Sequence, residues 1–318
     1  MAKKRRLTEE ELDRIRPLEK RLRAAARRGD LDSAKVLVAD LQPILRKAGD
    51  ETRLQKAKAW LYEAALEAGD VRFARQGFIG IRAKMSERTR IYLEATALLA
   101  VCDLRRGRIE DAEPLMAEAL ERVGNIRSQA RKRQFYRRLV DRFEEEWALS
   151  VLEGDEQEPL EPEKVQDQAG ILVATEPEEE IYRLLGEYLP KYKVDQILRV
   201  YEFSHRQLPS AERLLLPSPE QKRKRKEVGG TVFRAARRAV WKGLCDPNSD
   251  TYRIWFEQGI MVAVDKKVIG AAVVAAMAGI GLGVYALAVP VTALIIKLGV
   301  DVFCETYSPD GLMIGLDE

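Results

Sequence analysis

The sequence predicts an all-α protein, on three observations. Charged residues make up 33% of the 318 residues and aromatics only 7%, so straight-chain helix formers outnumber the β-branched and aromatic residues that favour strands. Apolar residues recur at helical spacing through the first half of the chain. One short glycine-led pattern returns there at a nearly constant interval. The length suggests two domains rather than one. A net charge of +3 is too small to dictate a partner, but basic and acidic runs are segregated along the chain.

Thr8 opens the first helix. With Glu11 it forms a capping-box pattern, in which each side chain satisfies a backbone N–H left unpaired at the helix start. The residues before it, Met1 to Arg6, are basic with no apolar run behind them, so no secretory signal peptide is expected. Helical periodicity then runs to Leu152. Within it stand Gly29-Asp30-Leu31-Asp32-Ser33-Ala34, Gly69-Asp70-Val71-Arg72-Phe73-Ala74 and Gly107-Arg108-Ile109-Glu110-Asp111-Ala112, the three glycines almost evenly spaced. Glycine closes one helix by accepting a left-handed backbone. The next polar residue starts another helix, and the alanine lets the two pack closely. Such periods mark helix-hairpin arrays, whose repeats bury apolar faces only against their neighbours.

At these residues the chain resembles the tetratricopeptide family, whose helix-turn-helix repeat carries a Gly-x-apolar-x-x-Ala turn. The likeness covers about residues 12–150. Val38, Phe78 and Met116, then Leu41, Ile81 and Ala119, stand where that family's second helix is apolar. The chain departs from the family in spacing, which exceeds about 34 residues. Arg46, Ser86 and Gly124 replace the closing proline, and most of the first-helix Trp, Leu and Gly positions are absent. The resemblance implies a solenoid of antiparallel helix hairpins that binds a protein or peptide on its concave face. An ordinary antiparallel α-bundle is the plainer reading of the same helices.

Residues 127–142 carry seven lysines and arginines with Phe135, Tyr136 and Leu139 among them. Such a face can grip phosphates, but Glu144, Glu145 and Glu146 balance it, and a solvated final helix is the simpler expectation. From 153 to 168 the chain is acidic, holds two prolines and almost nothing apolar. That composition cannot offset ordering entropy, so a flexible linker over 153–176 is expected. Pro177-Glu178-Glu179-Glu180 suits a helix N-terminus, and a second helix is expected from Val194 to Leu208. The single histidine, His205, has no nucleophile or orienting acid in a recognisable motif. No phosphate loop and no metal-ligand spacing occurs. The expectation is therefore no enzyme, no cofactor and no metal.

Lys222-Arg223-Lys224-Arg225-Lys226 follows a Pro-Ser-Pro loop, five cations expected to repel one another and stay solvated. After Gly229-Gly230, residues 232–244 form an amphipathic basic helix with Arg234, Arg237 and Arg238 off its apolar side. Anionic lipid, nucleic acid or a docking partner are the candidate contacts, beside a packed helix whose cations face water.

From Val268 to Ile296 the chain carries no charged side chain. A helix of roughly 20 apolar residues crosses a bilayer, and this run is longer. Lys266 and Lys267 precede it and the acidic tail 301–318 has no cation, so a spanning helix would leave the bulk of the chain cytoplasmic and the tail outside. Gly279 and Gly283 form a GxxxG that permits close helix approach and self-association, and Pro290 lies late in the run. The competing reading is a buried helical hairpin in a cytoplasmic protein, broken at Gly279-Ile280-Gly281-Leu282-Gly283. Cys102, Cys245 and Cys304 form no CxxC pair, and three free thiols in a reducing cytoplasm are expected.

The chain thus divides into a repeat domain (1–152), an acidic linker (153–176), a helical domain with the basic segment (177–265), an apolar membrane segment (266–300) and a short tail (301–318). The leading expectation is a non-catalytic scaffold, its repeats binding a protein or peptide and its apolar segment tethering it to a membrane, as an effector or signalling adaptor. The alternative is a nucleic-acid-associated adaptor with the apolar run folded into its core.

Overall fold

The computed structural model describes residues 5–153, 160–246, 250–258, 267–279 and 284–307. No β-strand occurs among them. The chain forms two compact units, divided between Leu139 and Val140.

The first unit contains α1 (Glu9–Arg28), α2 (Leu31–Ala48), α3 (Glu51–Glu67), α4 (Val71–Lys84), α5 (Arg90–Arg105) and α6 (Ile109–Glu121). A 3-10 turn (Arg122–Asn125) and the start of α7 (Gln129–Leu152) follow. Thr8 and Glu11 close the capping box on α1. From α1 to α6 each helix packs on the next, and α3 also packs on α1 and α5. The near-continuous apolar run of α5 is why every residue from Ile91 to Leu104 is buried: a helix apolar all round belongs inside. Its polar exceptions are partnered. Thr96 Oγ1 donates to the Tyr92 carbonyl at 2.9 Å, and Arg90 Nε donates to Glu94 at 2.8 Å. Burial still pushes the Glu94 carboxyl up to about 7, against the nearby Arg90.

The second unit runs from Val140 through the rest of α7, α8 (Pro162–Thr175), α9 (Glu178–Glu187), α10 (Lys191–Gln207), α11 (Ser210–Arg213), α12 (Pro219–Lys222) and α13 (Arg225–Cys245). It ends with α14 (Asp250–Gln258), α15 (Val268–Gly279), α16 (Tyr285–Leu298) and α17 (Val300–Thr306). Its core joins Val165 and Ala169 of α8, Ile181 and Leu185 of α9, Val232, Phe233, Ala236, Val240 and Leu244 of α13, and the apolar faces of α15 and α16. Helices α9 and α13 cross almost backbone to backbone. A Cβ on Gly229 would stand 1.8 Å from the Tyr182 carbonyl oxygen, and one on Gly186 2.0 Å from that of Arg225. Only glycine fits either place.

Several expectations change here. Residues 162–175 are not a linker but α8, with Val165, Gln166 and Ala169 buried; the acidic mean of the stretch hides an apolar stripe at helical spacing. Residues 154–159 lie outside the described part. The second helix begins at Lys191 rather than Val194. Gly229-Gly230 is no break, since α13 starts at Arg225 and runs through both. The apolar run is not one continuous span but two helices of 12 and 14 residues. No helix among the described residues is long and apolar enough to cross a membrane; α16 and α17 reach that length only together, bent by 92°. Cys245 and Cys304 form a disulfide, and only Cys102, buried in α5, stays a thiol.

Candidate functional site

Two features of the molecule stand out, the helix turns of the first unit and a buried charge cluster beside an apolar helix pair in the second. In the first unit Gly29, Gly69 and Gly107 take φ of +66°, +90° and +68°. This is the left-handed region that an L side chain enters at a cost. Gly49 does the same at +64°, a fourth such turn between α2 and α3. Asp30, Asp50 and Asp70 then cap the following helices, each accepting from the backbone N–H three residues on at 3.0 to 3.3 Å. The turn after Gly107 has no such cap. There Arg108 pairs instead with the fully buried Asp103 of α5, which also accepts from Arg75 Nε at 2.9 Å. Ala34, Ala74 and Ala112 have no exposed surface, and Phe78, Leu41 and Met116 are also buried.

In the second unit Glu144, Glu145 and Glu146 of α7 are buried rather than solvated. Glu144 accepts from Lys222 Nζ at 2.9 Å on both oxygens, from Thr231 Oγ1 at 3.0 Å and from Arg234 at 3.0 Å. Burial pushes its pKa up, yet Arg234 and Lys222 outweigh burial and hold the carboxyl below its ordinary value. Lys222 Nζ also sits 4.6 Å from the centre of the Tyr201 ring, a favourable cation–π contact. One residue on, Glu145 accepts from Arg237 at 3.0 Å. There burial wins over Arg237, Arg142 and Arg234, and the carboxyl is pushed up to about 7. Arg142 pairs with Glu146 at 2.9 Å along the same helix.

The basic residues read from the sequence are therefore mostly engaged with the protein's own acids and carbonyls. Lys222 is buried, contrary to the solvated run expected of it, because α7 supplies a carboxylate 78 residues away in sequence. Arg223 donates to Asp195 and Glu202 at 2.7 and 2.6 Å, Arg225 to the Gly186 and Leu189 carbonyls at 3.1 Å, and Lys226 to Glu179 at 2.6 Å. Arg238 lies 4.0 Å from Glu145. Lys224 is exposed. Beside the cluster, Tyr182, Gly230, Phe233, Arg234, Arg237 and Tyr307 line a recess of about 240 Å³. The His205 ring lies tilted beside that of Tyr201, ring centres 5.8 Å apart. No group of three or more His, Cys, Asp or Glu among the described residues could hold a metal.

Val268 begins α15 and Gly279 ends it, exposed and with nothing within 4 Å of a Cβ placed there. Gly283 lies outside the described residues. Pro290 is buried inside α16 and Ile296 is half-buried near its end. Both helices pack on α8, while α13 lies against α15 and α9 against α16. The polar ties of the pair are few. Gly270 N donates to Gln166 Oε1 at 2.8 Å, Lys267 Nζ meets Asp167 at 2.6 Å, and Lys297 Nζ meets the Val173 and Glu176 carbonyls at 3.1 and 2.7 Å. Helix α17 is fastened to α13 by the disulfide, by Trp241 Nε1 donating to the Cys304 carbonyl at 3.0 Å, and by Phe233 edge-on to Phe303 and Tyr307.

The burial of Glu144 and Glu145 escaped sequence reasoning because their partners Lys222, Arg234 and Arg237 are far away in the chain. The available signal was Glu144-Glu145-Glu146 inside a stretch with Phe143 before and Trp147 after it, an apolar frame no solvated face needs. Compared with known proteins, the chain matches no protein-family model, no curated protein and no solved structure.

Proposed function

We propose that the chain is a non-catalytic interaction protein with two working parts. The first unit is a tetratricopeptide-like helical repeat that takes up a protein or peptide partner. The second acts at a membrane through α15 and α16. One observation carries the membrane reading: the described parts of the uncharged run from Val268 to Ile296 form two apolar helices walled by α8, α9 and α13. Burying that much apolar chain in a core is ordinary, but a stretch of this length with so few polar ties to its walls is also what a bilayer accepts. The glycine turns and buried alanines, returning at a nearly constant period, support the repeat reading.

The competing adaptor, in which the helix pair never leaves the core and the basic side chains reach nucleic acid, is supported by the burial of Leu287 to Ile295. It needs Arg223, Arg234 and Arg237 to exchange their carboxylates for phosphates. Flotation of the full chain with vesicles of phosphatidylcholine and phosphatidylglycerol, with and without reductant, separates the two. Co-flotation in either state supports the membrane reading. Protein that stays with the soluble fraction in both states, at every lipid composition, overturns it.

A further inference from the structure

We infer that the Cys245–Cys304 disulfide is a redox clasp on the apolar helix pair, and that its reduction licenses α15 and α16 to leave the core for a lipid bilayer. The inference rests on the membrane reading above and adds the condition under which insertion occurs.

The clasp is placed to do this. Cys245 is the last residue of α13 and Cys304 lies in α17. The bridge spans 59 residues of sequence and both apolar helices fall between its ends. Its two anchor points differ in how firmly they are held. Helix α13 is bolted in place by Arg234 on Glu144, Arg237 on Glu145 and Arg225 on two carbonyls of the α9 region. The crossing at Gly186 and Gly229 locks it further, since no side chain intervenes to be repacked. Helices α15 and α16 carry fewer such ties: the Gly270 amide on Gln166, the close approach of Gly270 to the Pro162 carbonyl, and the Tyr285 hydroxyl on the Lys164 carbonyl. Their core contacts with the walls are otherwise apolar, which hydrocarbon replaces without loss. Their lysine ties at Lys267 and Lys297 are exposed, where water or a lipid headgroup substitutes readily. Among the described residues the disulfide is the one covalent cross-link between side chains of the segment that would move and the helix that stays.

While the bridge is closed, α17 cannot separate from α13. The pair then remains between two fixed ends and cannot straighten across a bilayer. Opening the bridge does not by itself eject the pair, because Phe233, Phe303, Tyr307 and the Trp241 hydrogen bond still seat α17. Reduction removes the covalent tie and leaves contacts that a membrane can outcompete.

The chemistry is thiol–disulfide exchange with a dithiol reductant. Cys304 is half-buried and Cys245 buried, so a thiolate of the reductant attacks the Cys304 sulfur. The S–S bond breaks, Cys245 leaves as a thiolate and takes up a proton, and a mixed disulfide forms on Cys304. The second thiol of the reductant then displaces Cys304, which takes up the second proton. The protein gains two electrons and two protons, and the reductant ends as its own disulfide.

The test is binding of the full-length protein to vesicles of phosphatidylcholine and phosphatidylglycerol, oxidised and after dithiothreitol. Reduction should raise membrane partitioning by at least about tenfold. Cys245→Ser and Cys304→Ser should bind in the absence of reductant, and Cys102→Ser should keep the redox dependence. Because a serine variant can fail by unfolding, a second protein is needed in which one methylene group bridges the two sulfurs as a thioacetal. It keeps the closure but resists reductant, and should stay off vesicles with dithiothreitol present. Equal binding by the oxidised, reduced and thioacetal proteins overturns the clasp while the membrane reading stands. If neither the reduced protein nor the serine variants bind at any lipid composition, the membrane reading falls and the clasp falls with it.

Discussion

Replacing Lys222 with alanine is the sharpest test of the buried cluster. The substitution removes an ammonium 2.9 Å from both oxygens of Glu144 and leaves that carboxylate in a place with no exposed surface. Breaking a buried ion pair from one side costs about 3–5 kcal/mol. Thr231 and Arg234 still donate to Glu144, so the lower end applies, about 3 kcal/mol. In a unit of this size that lowers Tm by roughly 6–12 °C. The pH dependence follows from the direction of the Glu144 shift. Its folded pKa lies below the ordinary value of 4.5, so its stabilisation is present above 4.5 and is lost as pH falls through the folded value. The gap between wild type and Lys222→Ala should therefore narrow on acidification below 4.5. Lys222→Met combined with Glu144→Gln removes both charges, keeps an acceptor for Arg234, and should recover most of the loss. Urea unfolding followed by far-UV circular dichroism and by the fluorescence of Trp147 and Trp241 reads these differences. A Lys222→Ala protein within about 0.5 kcal/mol of wild type at neutral pH would mean that Lys222 is solvated and the cluster does not form.

Glu145 tests the opposite sign. A carboxyl raised to about 7 stabilises the fold below its unfolded pKa and loses that contribution as pH climbs through 7, so stability should fall by up to about 3 kcal/mol between about pH 5 and pH 8. Glu145→Gln should flatten that slope in urea titrations at several pH values. At the helix turns, Gly69→Val forces a β-branched residue to φ of +90° and Ala112→Leu overfills a site with no exposed surface. Each should cost about 1–3 kcal/mol in thermal unfolding. At the α9–α13 crossing, Gly229→Ala puts a methyl 1.8 Å from a carbonyl oxygen and should cost about 3 kcal/mol or more. Gly124→Ala, with open space around it, should melt within a degree or two of wild type, about 0.5 kcal/mol or less.

The helical class was legible because it is written locally. Thr8 with Glu11, the positive-φ glycines and the aspartate caps each act within a few residues, and periodicity reports the faces between them. What the sequence hides is long-range. Lys222 reads as a solvated cation until a glutamate 78 residues away appears beside it. Helix α8 reads as linker because the acids just before it, at 153–161, dominate the average of the stretch, although Val165, Ala169 and Leu172 lie on one stripe. Gly229 reads as a helix break because glycine is a weak helix former; the crossing with α9 overrides that preference. The cysteine pair is silent as well, since spacing cannot reveal which thiols a fold brings within bonding range.

Where α7 is severed decides whether either half of the chain can live alone. A fragment ending at Leu152 carries away Glu144 and Glu145 and sets them in water. The complementary piece, started anywhere after 153, keeps Lys222, Arg234 and Arg237 without the α7 carboxylates that neutralise them inside. Started after 176, it also strips α8 from the flank of α15, where Gln166 holds the Gly270 amide and a Cβ would already collide with the Pro162 carbonyl oxygen at 2.8 Å. Uncovered apolar helices of that kind drive aggregation. An autonomous C-terminal protein therefore has to begin near Val140, some way upstream of the acidic stretch where a cloner reading composition would place the scissors.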